Sequence, residues 1–103
     1  MLRTETDTER LVRATLAHRT ASFVYHGLRR TVEPHLIGSH EAGEILLVAY
    51  QTGGESGSGE VPGWRTFVTA EIESVDAEGD PFPGPRPGFS PETHGMVEIL
   101  ARA

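Results

Sequence analysis

Apolar positions near the start of the chain recur at spacings of three and four. Leu11, Val12, Thr15, Leu16 and Arg19 lie on one side of a helix, behind Thr6-Asp7-Thr8-Glu9, which fits the capping box S/T-x-x-E. Acids crowd the first turn, where the helix dipole favours them. The pattern predicts a helix over about 7–19 whose narrow apolar stripe packs on a sheet or a barrel end. From Ala21 the period changes to that of strands. Phe23, Val24 and Tyr25 make a short β-rich run that stops at His26-Gly27, a hairpin-type turn. A second run covers Arg29 to Ile37, and Pro34 within it lacks an amide donor, so the strand must be an edge or carry a bulge there. After the turn at Glu41-Ala42-Gly43, the stretch EILLVAYQ reads as a strand buried on both faces, at the centre of the sheet.

The second half alternates strands with breakers. Residues 52–63, TGGESGSGEVPG, hold five glycines, two serines and one proline, a composition suited to a mobile connection. Trp64 to Val68 and Ala70 to Val75 follow as a strand or bent strand pair. The stretch PFPGPRPGFSP places five prolines in eleven residues, within a proline-rich arm over 80–91. Such an arm runs extended across the surface with Phe82 and Phe89 as anchors, a self-covering role preferred here over a presented proline ligand. Met96 to Ala101 forms a terminal strand. One helix followed by five or six strands predicts a mainly β (α+β) single domain over 1–103. Its expected form is a small barrel or strongly curved antiparallel sheet at about 21–76, with the helix at its mouth.

Composition narrows the function. A chain of 103 residues suits one hydrophobic core. Its longest apolar run, Ile45 to Tyr50, is far short of the roughly 18 residues of a membrane span. The charged start MLRTETDTER argues against a secretory signal, which leads to the expectation of a cytoplasmic protein. Without cysteine there are no disulfides and no thiolate chemistry. The net charge of −6 is uneven: residues 1–40 carry six arginines and four acids, the remainder three arginines and eleven acids. A mostly acidic surface opposes long-range attraction to phosphate backbones, so direct binding of duplex DNA is not expected and any anion site must be local.

Catalytic patterns are absent. The serines lie in turns or in the glycine-rich loop, without a nucleophile motif, and that loop lacks the G-K-[ST] of a phosphate loop. His35 and His40 lie near Glu33 and Glu41, but no standard metal spacing occurs, and Glu71 and Glu73 fit a solvated strand face. No catalytic residue, metal or cofactor is expected. What remains is arginine beside aromatic: Arg29, Arg30 and Arg65 flank strand starts, with Tyr25, His26, His35, Tyr50 and Trp64 in neighbouring segments. Guanidinium forks bind phosphate or carboxylate and aromatic faces stack on bases, which suits a nucleotide-like or other small anionic ligand. The plainer alternative makes the aromatics core and the arginines a solvated rim.

Tyr25-x-Gly27, Arg30-Thr31-Val32-Glu33-Pro34, the apolar strand Glu44 to Tyr50, Trp64-Arg65-Thr66-Phe67 and Ala70-Glu71-Ile72-Glu73-Ser74-Val75 together resemble the WYL domain. The resemblance runs from about residue 8 to 89 and includes Phe82-x-x-x-Arg86-Pro87. It implies an SH3-like or Sm-like barrel of about five strands with one N-terminal helix. It also implies a sensor module of bacterial regulators that binds nucleotide or single-stranded nucleic acid through arginines. Arg30 and Arg65 are the positions carried over as anion contacts; Tyr25, His35 and Tyr50 join them by proximity alone. The family's naming tripeptide is Ile45-Leu46-Leu47 here, and Glu71 stands where the family has an arginine, which works against nucleic-acid binding. The expectation is a non-enzymatic domain binding a small anionic ligand. Its alternative is an interaction module, a homodimer through a strand edge among the options. The first depends on Arg30 and Arg65 converging without being paired to Glu33 and Glu71.

Overall fold

The computed structural model describes residues 4–57, 61–89 and 95–103. Helix α1, Asp7–Ala17, begins at the capping box: Thr6 Oγ1 accepts from the Glu9 amide at 3.1 Å, and the Glu9 carboxylate accepts from the Thr6 amide at 2.9 Å. Two donors that a helix start leaves orphaned are thereby satisfied. The helix ends two residues before the predicted limit because His18 turns left-handed, with φ 55°, and the Arg19 amide bonds back to Ala14 O at 2.9 Å. Leu11, Ala14 and Thr15 are buried, whereas Leu16, on the same predicted stripe, is 62% exposed. Arg13 bridges Glu5 and Glu78 at 2.9 and 2.6 Å, tying the helix to the far end of the sheet, and holds the Glu5 carboxyl below its ordinary range.

Six strands follow among the described residues: β1 (Ala21–Tyr25), β2 (Leu28–His40), β3 (Ile45–Gly54), β4 (Gly63–Val68), β5 (Ile72–Asp76) and β6 (Met96–Arg102). The chain is mainly β. His26 and Gly27, with φ of 52° and 77°, form the two-residue loop between β1 and β2, the left-handed pair that matches the twist of a tight hairpin. The antiparallel order is β4-β3-β2-β1-β5, with β6 added on β2. Among the described residues the end strands β4 and β5 do not pair with each other, so of the expected barrel or strongly curved antiparallel sheet the structure shows an open sheet. A single 3₁₀ turn, Thr69–Glu71, joins them.

β2 is the hub. It pairs with β3 along most of its length, while on its other edge β1 takes residues up to Val32 and β6 takes residues from Leu36. Pro34 falls between those two ladders, where its missing amide breaks neither, and the β3 register shifts between Pro34 and Leu36. The bulge alternative for this proline is therefore the one realised, in an interior strand. β3 lies between β2 and β4 with Leu47, Val48 and Ala49 all buried, one place away from the hub. Gly38 permits the close approach of β6: a Cβ there would lie 2.3 Å from Glu98 O.

One face of the sheet holds the main core, in which Phe23 and Phe67 meet edge to face at 5.0 Å among Leu11, Val32, Ile37 and Leu47. The other face buries Leu36, Val48 and Met96, with Phe89 packed against them. Residues 58–60 of the predicted mobile connection and 90–91 of the predicted arm lie outside the described residues. Among the described residues no helix is long and apolar enough to cross a membrane.

Candidate anion-binding cleft

Side chains alternate between the faces of a strand, and the register of β2, β3 and β4 carries that alternation across the sheet. Val32 stands opposite Gln51, Ala49 opposite Arg65, and Leu47 opposite Phe67. Arg30, two residues before Val32, thus projects toward the same inner face as Gln51, Arg65 and Phe67, at the end of the core where the hydrophobic filling stops. Tyr25 reaches this place from the end of β1, its ring edge to face with Phe67 at 4.9 Å and its hydroxyl accepting from the Val68 amide at 3.2 Å. The result is a cleft of about 430 Å³ lined by Tyr25, His26, Leu28, Arg30, Gly57, Arg65, Thr66 and Phe67. Its volume falls within the range of small-molecule sites, about 300–1,000 Å³.

Arg30 is the unusual residue. It is 6% exposed, yet among the described residues no carboxylate pairs with it. Its guanidinium donates to Gln51 Oε1 at 3.5 Å and to Tyr25 O at 3.3 Å, both long bonds to neutral acceptors, and its Nε has no hydrogen-bond partner among the described residues. The cation lies 5.5 Å from the Tyr25 ring centroid and 5.8 Å from that of Phe67. Gln51 is itself oriented by donating to Gly53 O at 3.0 Å and Glu55 O at 2.9 Å, which turns its carbonyl toward Arg30. Arginine is rarely buried without a charged partner, because desolvating the cation costs several kcal/mol, on the order of a domain's whole stability margin. Arg65, half-buried, donates to Trp64 O at 2.9 Å and adds a second guanidinium to the same cleft.

Glu33 and Glu71, the acids expected from sequence as competing partners, are both engaged elsewhere. Glu71 pairs with His26, which stacks on Tyr25 at 4.1 Å and turns the acid toward the rim. Glu33 pairs with Arg86 on the opposite face, Nε to Oε1 at 2.6 Å and Nη2 to Oε2 at 3.2 Å. This fork raises the Arg86 pKa further above the arginine range.

Of the five side chains proposed from sequence, Arg30, Arg65 and Tyr25 come together, and His35 and Tyr50 do not. Tyr50 stands between Glu33 and Trp64 in a cross-strand row on the outer face, under the Arg86 guanidinium at 4.1 Å. His35 is fully buried against Trp64, Phe82 and Phe89. Its Nδ1 bonds to Glu33 O at 2.8 Å and its Nε2 accepts from the Arg86 amide at 3.1 Å, an arrangement requiring the neutral ring with the proton on Nδ1. Burial pushes its pKa down. Both residues thus secure the proline-rich arm, and neither ring nitrogen of His35 is open to a metal or a ligand. Sequence reasoning grouped His26 with the arginines but did not carry it among the ligand contacts, and it left out Phe67, which lines the cleft, and Gln51, which holds Arg30. Gln51 carried a usable signal, since strand alternation from Leu47 and Ala49 places it on the buried face, where an amide needs partners.

Compared with family models, curated proteins and solved structures, the chain matches none.

Proposed function

We propose that this chain is a non-enzymatic, WYL-like binding domain that takes a small anionic, nucleotide-like ligand in the cleft between β1, β2 and β4. The observation that carries this reading is Arg30: a buried guanidinium with no acid and an unsatisfied Nε among the described residues, beside a second arginine, is an arrangement an anion would complete. Arg30 supplies the desolvated charge and Arg65 a more accessible fork. The Tyr25 and Phe67 rings supply the platform on which the Arg30 cation rests. Gln51 positions Arg30. The connectivity supports the small SH3-like or Sm-like form of the sheet: its two end strands are consecutive in the chain and joined by one three-residue turn, which requires the sheet to curl.

Titration calorimetry with adenosine monophosphate and with inorganic phosphate tests the reading. Saturable binding of at least one probe is expected, weakened about 10–100-fold in Arg30→Met, the loss of a charge-assisted hydrogen bond, and less in Arg65→Ala. Circular dichroism verifies that both variants fold. Absence of binding for both probes at millimolar concentration, or unchanged affinity in Arg30→Met, overturns it.

A further inference from the structure

Among the described residues β6 pairs with β2 and with no other strand, so its outer edge is open. Proteins usually guard such an edge with proline, lysine or repelling charges. The strand MVEILAR has neither proline nor lysine, and Val97, Ile99 and Leu100 are 67%, 38% and 38% exposed. Alongside it, α1 leaves Leu16 in solvent, and Val12, Leu16, Ala17 and Leu100 line a groove of about 670 Å³, roomier than the arginine cleft. An apolar strip joining a helix flank to an unpaired edge marks a contact surface.

The charges on this strand indicate what covers it. Glu98 and Arg102 are exposed, and among the described residues neither is in an ion pair. They stand symmetrically about Leu100. When two β6 strands run antiparallel about a two-fold axis at Leu100, position 98 of each copy faces position 102 of the other. Both charge pairs are then opposite in sign, and Leu100 meets its own counterpart beside Leu16. A self-complementary strip of this kind is what an isologous interface requires.

We infer that two copies of this chain associate through β6, antiparallel about Leu100, burying Leu100 and Leu16 and pairing Glu98 of each copy with Arg102 of the other. β6 takes the second half of β2 and Arg30 stands in the first, so this interface is independent of the cleft.

Sedimentation velocity on the full chain from about 5 to 500 μM tests the inference. Wild type forms a dimer at the upper concentrations. Glu98→Arg alone and Arg102→Glu alone each place two like-charged pairs across the axis and weaken the dimer about tenfold or more. An equimolar mixture of the two variants recovers wild-type association, because the mixed dimer sets a strand basic at both positions against a strand acidic at both. Circular dichroism of each variant matches wild type, the substituted positions being exposed. A wild-type monomer throughout, a dimer indifferent to either reversal, or a mixture no tighter than its components overturns the inference.

Discussion

Two arginines on opposite faces of the same sheet meet opposite fates. Arg86 arrives on the outer face from the proline-rich arm, forks onto Glu33, covers the Tyr50 ring and donates its own amide to His35. Every part of it is spent on fastening one segment to another, and its side chain remains 40% exposed. Arg30, on the inner face, is nearly inaccessible, rests on two long bonds to neutral oxygens and leaves one donor unused. The first arrangement is what a structural ion pair looks like when both charges are satisfied. The second lowers stability unless something outside the chain completes it. The difference separates a satisfied fastening from an incompletely satisfied cation, and the proposed site rests on the second.

The comparison is sharpened most by loosening the fastening. Phe82 is buried at 5% exposure between His18 and His35, at 5.5 Å from each ring. Phe82→Ala is expected to cost about 3–4 kcal/mol by lost transfer energy and cavity formation, read from the urea midpoint. A change below about 1 kcal/mol would mean that the arm does not hold the outer face.

The two arginines themselves should respond with opposite signs. Arg86→Ala leaves the Glu33 carboxylate, 12% exposed, without its partner. About 1–2 kcal/mol of stability is expected to be lost, the exposure of Arg86 moderating the effect. Arg30→Met replaces a desolvated cation by an apolar side chain of similar length, for which no change or a gain of about 1 kcal/mol is expected. Thermal denaturation of both variants measures the contrast. Equal losses would show Arg30 to be as structural as Arg86.

The smallest effect is a pH dependence. His35 is held neutral by burial and by its bond to the Arg86 amide, with Arg86 and His18 also opposing its protonation and Glu33 favouring it. Its folded pKa is below the ordinary 6.5. As pH falls below about 6.5, the unfolded chain takes up a proton that the folded chain does not, so the stability is fully present above that value and declines until the lowered folded value is passed. Urea midpoints at pH 7.5, 6.5 and 5.5 should fall more steeply for wild type than for His35→Phe. Parallel lines for the two proteins would exclude His35 as the group responsible.

Much of this was legible locally. The capping box, the His26-Gly27 hairpin and the strand periods are decided by residues within a few positions of one another, and the structure has these elements. The same alternation separates Arg30 from Glu33, an odd number of positions apart and therefore on opposite faces. His35 was harder. It shares the outer face with Glu33, as counting by two gives, but the proline-rich arm crosses that face and buries the imidazole among Trp64, Phe82 and Phe89. Tyr50 was misjudged because it joined the arginines by proximity alone, whereas alternation from Ala49 and Gln51 puts it on the opposite face, between Glu33 and Trp64.

The amino-acid order by itself determined the helix start, the tight turn, the strand irregularity at Pro34 and the mainly β character, because each depends on steric and hydrogen-bonding preferences of neighbouring residues. Only the tertiary structure decided which acid meets which base. Glu33 is claimed by an arginine more than fifty positions later, and Glu71 by a histidine in the loop between β1 and β2. Among the described residues Arg30 is left with none, since partner choice depends on strand register and on the path of the arm, and neither is encoded in local spacing. A charge's function in this protein thus follows from what the fold brings near it.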